Sequence, residues 1–241
     1  MAKLLNKIKE ILFPKNFVCD LCGTEVFNGT NLCDECNGRI VKNDKFTCPV
    51  CGRRTFRDEI CITCKAKAPN YKKGVSCFVY DDGATILMHK FKNGHAYLKD
   101  YYVPLLAEKC KSLPKCDAIL YVPMTEIAVK KRGYNQAKLL ADGVGEILGV
   151  PVLDDVLVKV KDTDEQKTLS HKEREENIKS CFKVACATNV IGKNVLLIDD
   201  VLTTGATMQT ITQKLLKKKV KGVYCATVCS VEYKLRANPI E

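Results

Sequence analysis

The sequence predicts an α/β fold, a mostly parallel sheet flanked by helices, preceded by a small cysteine-rich module. Three observations carry this. Four aliphatics in a row, Val195 to Ile198, give way to two acids and then to small hydroxylated residues. Further short apolar runs, Val75 to Tyr80, Ala118 to Val122, Val156 to Val160 and Val223 to Val231, alternate with stretches of helical period. Strands that are apolar without alternation suit a sheet covered on both faces. Finally, four Cys-x-x-Cys pairs crowd residues 19–64.

A chain of 241 residues has room for one α/β domain of roughly 150 or more residues and a smaller module. The division read from the sequence is a helix over 1–16, a cysteine module over 17–70 and the α/β domain over 75–241. Lys and Arg number 39 against 28 acids, a net charge of +11. That balance suits anionic ligands or polyanionic partners, and equally a lysine-rich soluble surface. No apolar run approaches the roughly 18 residues of a membrane span. Lys3, Lys7, Lys9 and Glu10 interrupt the N-terminus, unlike a secretory leader. The reading places the protein in the cytoplasm, where its 15 cysteines are not expected to pair as disulfides.

At the N-terminus, Leu4, Leu5, Ile8, Ile11 and Leu12 form one face of a short helix ended by Pro14. It can dock on the rest of the chain or lie on a membrane surface. The pairs Cys19/Cys22, Cys33/Cys36, Cys48/Cys51 and Cys61/Cys64 follow, with Gly23 and Gly52 after the first and third, where a metal-binding knuckle needs φ > 0. Two pairs complete one tetrahedral thiolate site, so two structural Zn²⁺ ions are expected. Sequential pairing is the simplest arrangement, and an interleaved one stays open. The gaps between knuckles suit hairpins. Few apolar residues lie between 17 and 70, so metal is expected to supply much of the module's folding energy. Lys42, Lys45, Arg53, Arg54, Arg57, Lys65, Lys67, Lys72 and Lys73 give the module a basic cast. Sparse aromatics limit the expectation to non-specific, electrostatic nucleic-acid binding.

Ala68-Pro69-Asn70 through Gly74 reads as a linker. After the strand at Val75, helices are expected from Thr85 to Gly94 and from His95 to about Leu113, the second with a kink at Pro104. The strand Ala118 to Val122 leads to Arg132-Gly133-Tyr134-Asn135-Gln136. Lys130, Lys131 and Arg132 could add charge at the sheet's carboxyl edge, Arg132 first among them. Val156 to Val160 is followed by a polar stretch, Lys161 to Asn177, that fits a mobile lid in which Arg174 carries charge to a leaving group. A Ser170-capped helix start is compatible with it. Cys77, Cys110, Cys116, Cys181, Cys186, Cys225 and Cys229 lack metal spacing and read as small core residues.

The chemistry concentrates at the end of the Val195 strand. Asp199 and Asp200 fall at its carboxyl end, where open α/β sheets place their ligands. Thr203, Thr204, Gly205, Ala206 and Thr207 are short-chained, so their amides can turn to an anion at the N-terminus of the helix that carries Ile211 and Leu215. Paired carboxylates beside such a cradle accept hydrogen bonds from vicinal hydroxyls and help hold Mg²⁺. The implied ligand is a ribose 5-phosphate. This run resembles the 5-phosphoribosyl 1-pyrophosphate (PRPP) signature of type I phosphoribosyltransferases. With Tyr121-Val122-Pro123, the Arg132 to Ala137 block, Leu169-Ser170, Arg174, Asn177 and the cysteine-rich front, the chain resembles the ComF family of competence-associated phosphoribosyltransferase-like proteins.

The resemblance implies PRPP with Mg²⁺ as ligand, Asp199 and Asp200 on the ribose hydroxyls, residues 203–207 on the 5-phosphate and Arg132 near the pyrophosphate. Asp200 and Arg174 are then the candidates for catalysis. It also implies a part in DNA uptake, with single-stranded DNA and other uptake proteins such as a helicase as partners. Two functions stand side by side: transfer of ribose 5-phosphate to an unidentified acceptor, or PRPP or nucleotide sensing without turnover. Thr203 stands where hypoxanthine-guanine enzymes carry an acid, so a purine acceptor is not implied.

Overall fold

The computed structural model of the protein describes residues 18–27, 31–161, 178 and 180–232. The N-terminal helix expected over 1–16, the lid expected from Lys161 onward and Arg174 fall outside them, Lys161 excepted.

Four strands form the central sheet: β1 (Lys73–Val79), β2 (Ala118–Tyr121), β5 (Asn194–Leu202) and β6 (Gly222–Ser230), in the order β1-β6-β5-β2 and all parallel. The aliphatic run is the middle of the sheet, as its lack of alternation demands. Val195, Leu197 and Ile198 are fully buried and Leu196 is 3% exposed. At about 1.5 to 3 kcal/mol for each such side chain, this run fixes β5 firmly. The strand does not stop at the acids. It continues through Asp199 and Asp200 to Leu202, because β6 is long enough to pair with it as far as Leu202↔Ser230.

Alternation along β5 and β6 divides the core in two. One face collects Leu196, Ile198, Ala226 and Val228 with α3 (Asp82–Lys92), α4 (Lys99–Cys110) and α6 (Gln136–Leu148). The other collects Val195, Leu197, Val223 and Cys225 with α7 (Ala206–Lys217) and a hairpin of β3 (Leu157–Lys159) and β4 (Phe182–Val184). The strand expected over Val156 to Val160 is thus shorter and lies in this hairpin, outside the main sheet. The helix expected from His95 to Leu113 is a short 3-10 turn, Ala96–Leu98, followed by α4 with Pro104 inside it. Six of the seven unpaired cysteines are buried as expected, and only Cys186 is partly exposed.

The cysteine module is not a bead on a linker. Its first half, with Cys19, Leu32, Cys36 and Ile40, belongs to one core, and its second half, with Cys48, Cys51, Cys64 and Tyr71, belongs to the other. The chain crosses between them at the edge of the sheet, where Lys42 bridges Phe78 antiparallel and the Val79 N–H donates to Val41 O at 2.9 Å. This covers the free edge of β1. Apolar burial against the sheet domain therefore adds to whatever stability metal gives the module. The expected linker is packed too. The Asn70 N–H donates to Gln209 Oε1 at 2.7 Å, the Gly74 N–H to Val50 O at 2.8 Å, and Tyr71 is 5% exposed.

Because each half of the module completes a different core, removing zinc with a chelator should lower the melting temperature of the whole chain as one cooperative transition. Calorimetry that instead shows a separate early transition, with the sheet domain melting unchanged, would contradict the shared cores.

Candidate functional site

The thiols fall into two groups, Cys19, Cys22, Cys33 and Cys36, and Cys48, Cys51, Cys61 and Cys64, each with all four sulfurs within 4.8 Å of one another. The pairing is sequential. Cys22 and Cys33 sulfurs stand 3.8 Å apart and Cys51 and Cys61 sulfurs 3.6 Å apart, close to the ~3.8 Å edge of a tetrahedron with Zn–S bonds of about 2.3 Å. In each tetrad the first pair sits in a knuckle closed by glycine, Gly23 at φ +75° and Gly52 at φ +74°, whose N–H donates back to Cys19 O or Cys48 O at 2.9 Å. The second pair opens a short helix, α1 (Asp34–Arg39) or α2 (Ile62–Ala66). Single antiparallel bridges, Val18↔Glu25 and Thr47↔Arg54, clasp the first knuckle of each tetrad rather than forming hairpins in the gaps between knuckles, where they were expected. Cys22 shares a hydrogen bond with the Thr24 hydroxyl, which with the Thr24 amide holds its thiol down to about 6, toward the thiolate that metals bind. The donor set and spacing fit zinc at both tetrads.

The second site lies at the carboxyl edge of β5. A cleft of about 160 Å³ is lined by Asp199 and Asp200, by Arg132, Asn135 and Gln136, by Lys159 and Phe182 of the β3–β4 hairpin, and by Thr207 at the start of α7. Neighbouring residues of a strand point to opposite faces, so the two acids meet different partners. Asp200, 8% exposed, accepts from Gln136 Nε2 at 2.9 Å and pairs with Lys92 Nζ at 3.2 Å. Asp199 accepts the Asp200 N–H at 2.9 Å. Burial pushes the Asp199 carboxyl up to about 8, and the like charge of Asp200 adds to this, while that N–H, Lys92 and Lys159 act the other way.

The Arg132 to Gln136 block has a task for every residue. Arg132 ends α5 (Glu126–Arg132) and faces the cleft, while Lys130 and Lys131 are exposed and outside its lining. Gly133 at φ +90° caps α5, a left-handed position that disfavours a side chain. Tyr134 donates to Phe91 O, tying the block to the end of α3. Asn135 Oδ1 caps α6 by accepting from the Ala137 and Lys138 amides. Gln136 is 5% exposed, and its buried Oε1 has no partner among the described residues.

At the rim, Thr203 and Thr204 are exposed and Gly205 takes φ +84° at the N-cap of α7. The Ala206 N–H donates to Thr204 Oγ1 at 3.2 Å, so one of the expected anion-facing amides is held by the loop itself. The structure thus brings Asp199, Asp200, Arg132 and Thr207 to one cleft, whereas Thr204, Gly205 and Ala206 line a second cleft of about 470 Å³ with Arg53, Cys64 and Gln209. Sequence reasoning did not find Lys92, Gln136 and Lys159 as partners of the acids. Lys92 and Lys159 lie in an ordinary helical or strand context, and Gln136, although within the Arg132 to Ala137 block, meets Asp200 only through tertiary structure. Arg53, expected on a basic surface, is 2% exposed, its guanidinium donating to the carbonyls of Thr203 and Val231.

A parallel sheet with this strand-loop-helix at its carboxyl edge, fronted by two thiolate tetrads, defines a phosphoribosyltransferase-type domain behind a double zinc ribbon. Family models agree: that of the phosphoribosyl transferase domain matches residues 122–238, and that of the double zinc ribbon domain matches residues 8–73. Competence protein F of Haemophilus influenzae is 32% identical over 218 residues, covering 86% of this chain and 94% of that protein. DNA utilization protein YhgH of Escherichia coli (strain K12) is 27% identical over 221 residues, covering 88% and 96%. A solved glutamine PRPP amidotransferase from B. subtilis, in complex with ADP and GMP, overlaps 54% of this chain and 25% of its own at 22% identity and a TM-score of 0.38. The chain belongs to the competence protein F (ComF) family.

The folded state keeps a proton on Asp199 that an unfolded aspartate releases near pH ~4. Stability from this group therefore falls as pH rises from about 4 to about 8 and levels off above that. Asp199→Asn keeps an acceptor for the Asp200 N–H but removes the titration. The melting-temperature gain of this variant over the parent should widen between about pH 5 and pH 8; a difference that does not change with pH would contradict the assignment.

Proposed function

We propose that the chain binds PRPP with Mg²⁺ at the carboxyl edge of β5 and transfers its ribose 5-phosphate to an acceptor. One observation carries this reading. The acid pair, Gln136 and Arg132 line one cleft together with Thr207 in the first turn of α7, and Gln136 keeps a buried Oε1 with no partner among the described residues. Asp199 and Asp200 hold the two ribose hydroxyls, Gln136 Oε1 accepts from one of them, and the amides of residues 203–207 take the 5-phosphate. Arg132 faces the pyrophosphate, whose charge Mg²⁺ carried by PRPP also offsets. In the transfer the bond from C1 to the pyrophosphate oxygen breaks with its electron pair leaving on pyrophosphate. A nucleophile of the acceptor bonds to C1 and loses a proton. The chain's contribution is to hold the ribose rigidly while that exchange occurs. Arg174, outside the described residues, stays a candidate for the leaving group.

A second reading is PRPP or nucleotide sensing without turnover. It is favoured by the cleft lining, which among the described residues holds no histidine, cysteine or glutamate, so that only the two aspartates assigned to the ribose could take the acceptor's proton. For either reading we place the protein in the cytoplasm and in DNA uptake, as the names of its competence and DNA-utilization relatives suggest. Lys42, Lys45, Arg54, Arg57, Lys65 and Lys67 are exposed on the cysteine module and suit non-specific contact with single-stranded DNA. Other uptake proteins, such as a helicase, are the partners expected there.

PRPP with Mg²⁺ should raise the melting temperature by mass action, and Asp200→Ala should abolish the shift while ribose 5-phosphate still binds weakly. A variant that binds PRPP like the parent would place the site elsewhere. Release of pyrophosphate with some acceptor, a nucleobase or single-stranded DNA, separates the enzyme from the sensor. Single-stranded DNA affinity should fall steeply with salt; affinity indifferent to salt would remove the electrostatic interpretation.

A further inference from the structure

Arg53 is the largest fully buried side chain among the described residues, and it comes from the cysteine module rather than from the sheet domain. Its placement begins at the second tetrad. The knuckle Cys48 to Cys51 turns at Gly52, and the Cys48 N–H closes the turn on Arg53 O at 2.7 Å. The knuckle is pressed on the sheet so closely that a methyl at Gly52 would stand 2.6 Å from Val75 Cα. From this anchored backbone the guanidinium reaches the carboxyl edge of the sheet. There Nη1 donates to Val231 O at 2.9 Å, just past the end of β6, and Nη2 donates to Thr203 O, the first residue of the phosphate loop. The loop closes over it, since a methyl on Gly205 would lie 3.9 Å from Nη2.

A planar guanidinium with two parallel donors fixes what it touches more tightly than a single ammonium does. By holding the Thr203 carbonyl turned inward, it sets which way the following amides face. It also ties the loop to β6, which the Val231 N–H joins to Leu202 O at 3.0 Å. We propose that Arg53 is a positioning residue for the phosphate loop, delivered by the second tetrad. Metal at Cys48, Cys51, Cys61 and Cys64 then sets the affinity of the loop for a sugar-phosphate dianion. The first tetrad has no such route, because its residues pack on the opposite face of the sheet. The inference rests on residues 203–207 being the phosphate loop, and it gives the zinc ribbon a part in ligand binding beyond holding the fold.

The test is the affinity of the full chain for ribose 5-phosphate, measured calorimetrically beside its zinc content. Arg53→Ala should keep two zinc ions and lose about tenfold or more in affinity, the scale of a lost charged hydrogen bond. Arg53→Lys, able to reach one carbonyl, should fall between Ala and the parent, and Arg39→Ala, an exposed arginine of the same module, should match the parent. Cys64→Ser should lose one ion and weaken binding, and adding Arg53→Ala to it should cost nothing more, as for two changes on one route. Cys22→Ser should lose the other ion and keep its affinity. Should Arg53→Ala precipitate, the Lys variant decides. An Arg53 variant that keeps two ions and binds ribose 5-phosphate as the parent does overturns the inference alone. A parent that itself ignores ribose 5-phosphate overturns the loop reading and the inference with it.

Discussion

Two carboxylates on consecutive residues of a buried parallel strand cannot both be charged and dry without help, and the architecture of this protein is arranged around that constraint. The strand itself solves half of the problem by turning Asp199 and Asp200 to opposite faces of the sheet. Asp200 receives an amide and an ammonium from helices on one face, Gln136 and Lys92. Asp199 is left with the backbone N–H of its neighbour and more distant cations, and its carboxyl rises toward 8.

The same edge of the sheet explains why the cysteine module belongs to the fold. The module straddles the sheet, one tetrad to each face, and the segment between them covers the free edge of β1. Two thiolate tetrads alone would make a small independent ribbon. Here Tyr97 donates to Asp20 at 2.9 Å and Tyr101 to Asn37 at 2.9 Å, both tying the first half to the helical layer. The second half is tied through Arg53 to the loop that opens α7.

The parts legible in the sequence are those whose physics is local. Val195 to Ile198 reads as a central strand because four aliphatics leave no polar face, and the short-chained run Thr203 to Thr207 with its glycine reads as the turn into a helix, where the structure gives Gly205 φ +84°. The tetrads are legible from spacing, although only the structure decides for sequential pairing. What sequence reasoning did not reach is tertiary. The strand's extension to Leu202 depends on the length of β6, and the displacement of the Val156 strand depends on pairing with Phe182–Val184, a segment with no strong strand pattern. The partners of the acids lie in α3, α6 and β3. The burial of Arg53 runs against its chemical type, so composition assigned it to the surface.

The central claim is that one end of a single strand and loop reads both halves of a ribose phosphate. A crystal structure of the chain with PRPP and Mg²⁺ tests it most directly. The account predicts the ribose hydroxyls on Asp199 and Asp200 and the 5-phosphate on the amides of residues 203–207. Ligand seated elsewhere, with no phosphate on the amides of residues 203–207 and with Asp200 still bound to Gln136 and Lys92 alone, would contradict it.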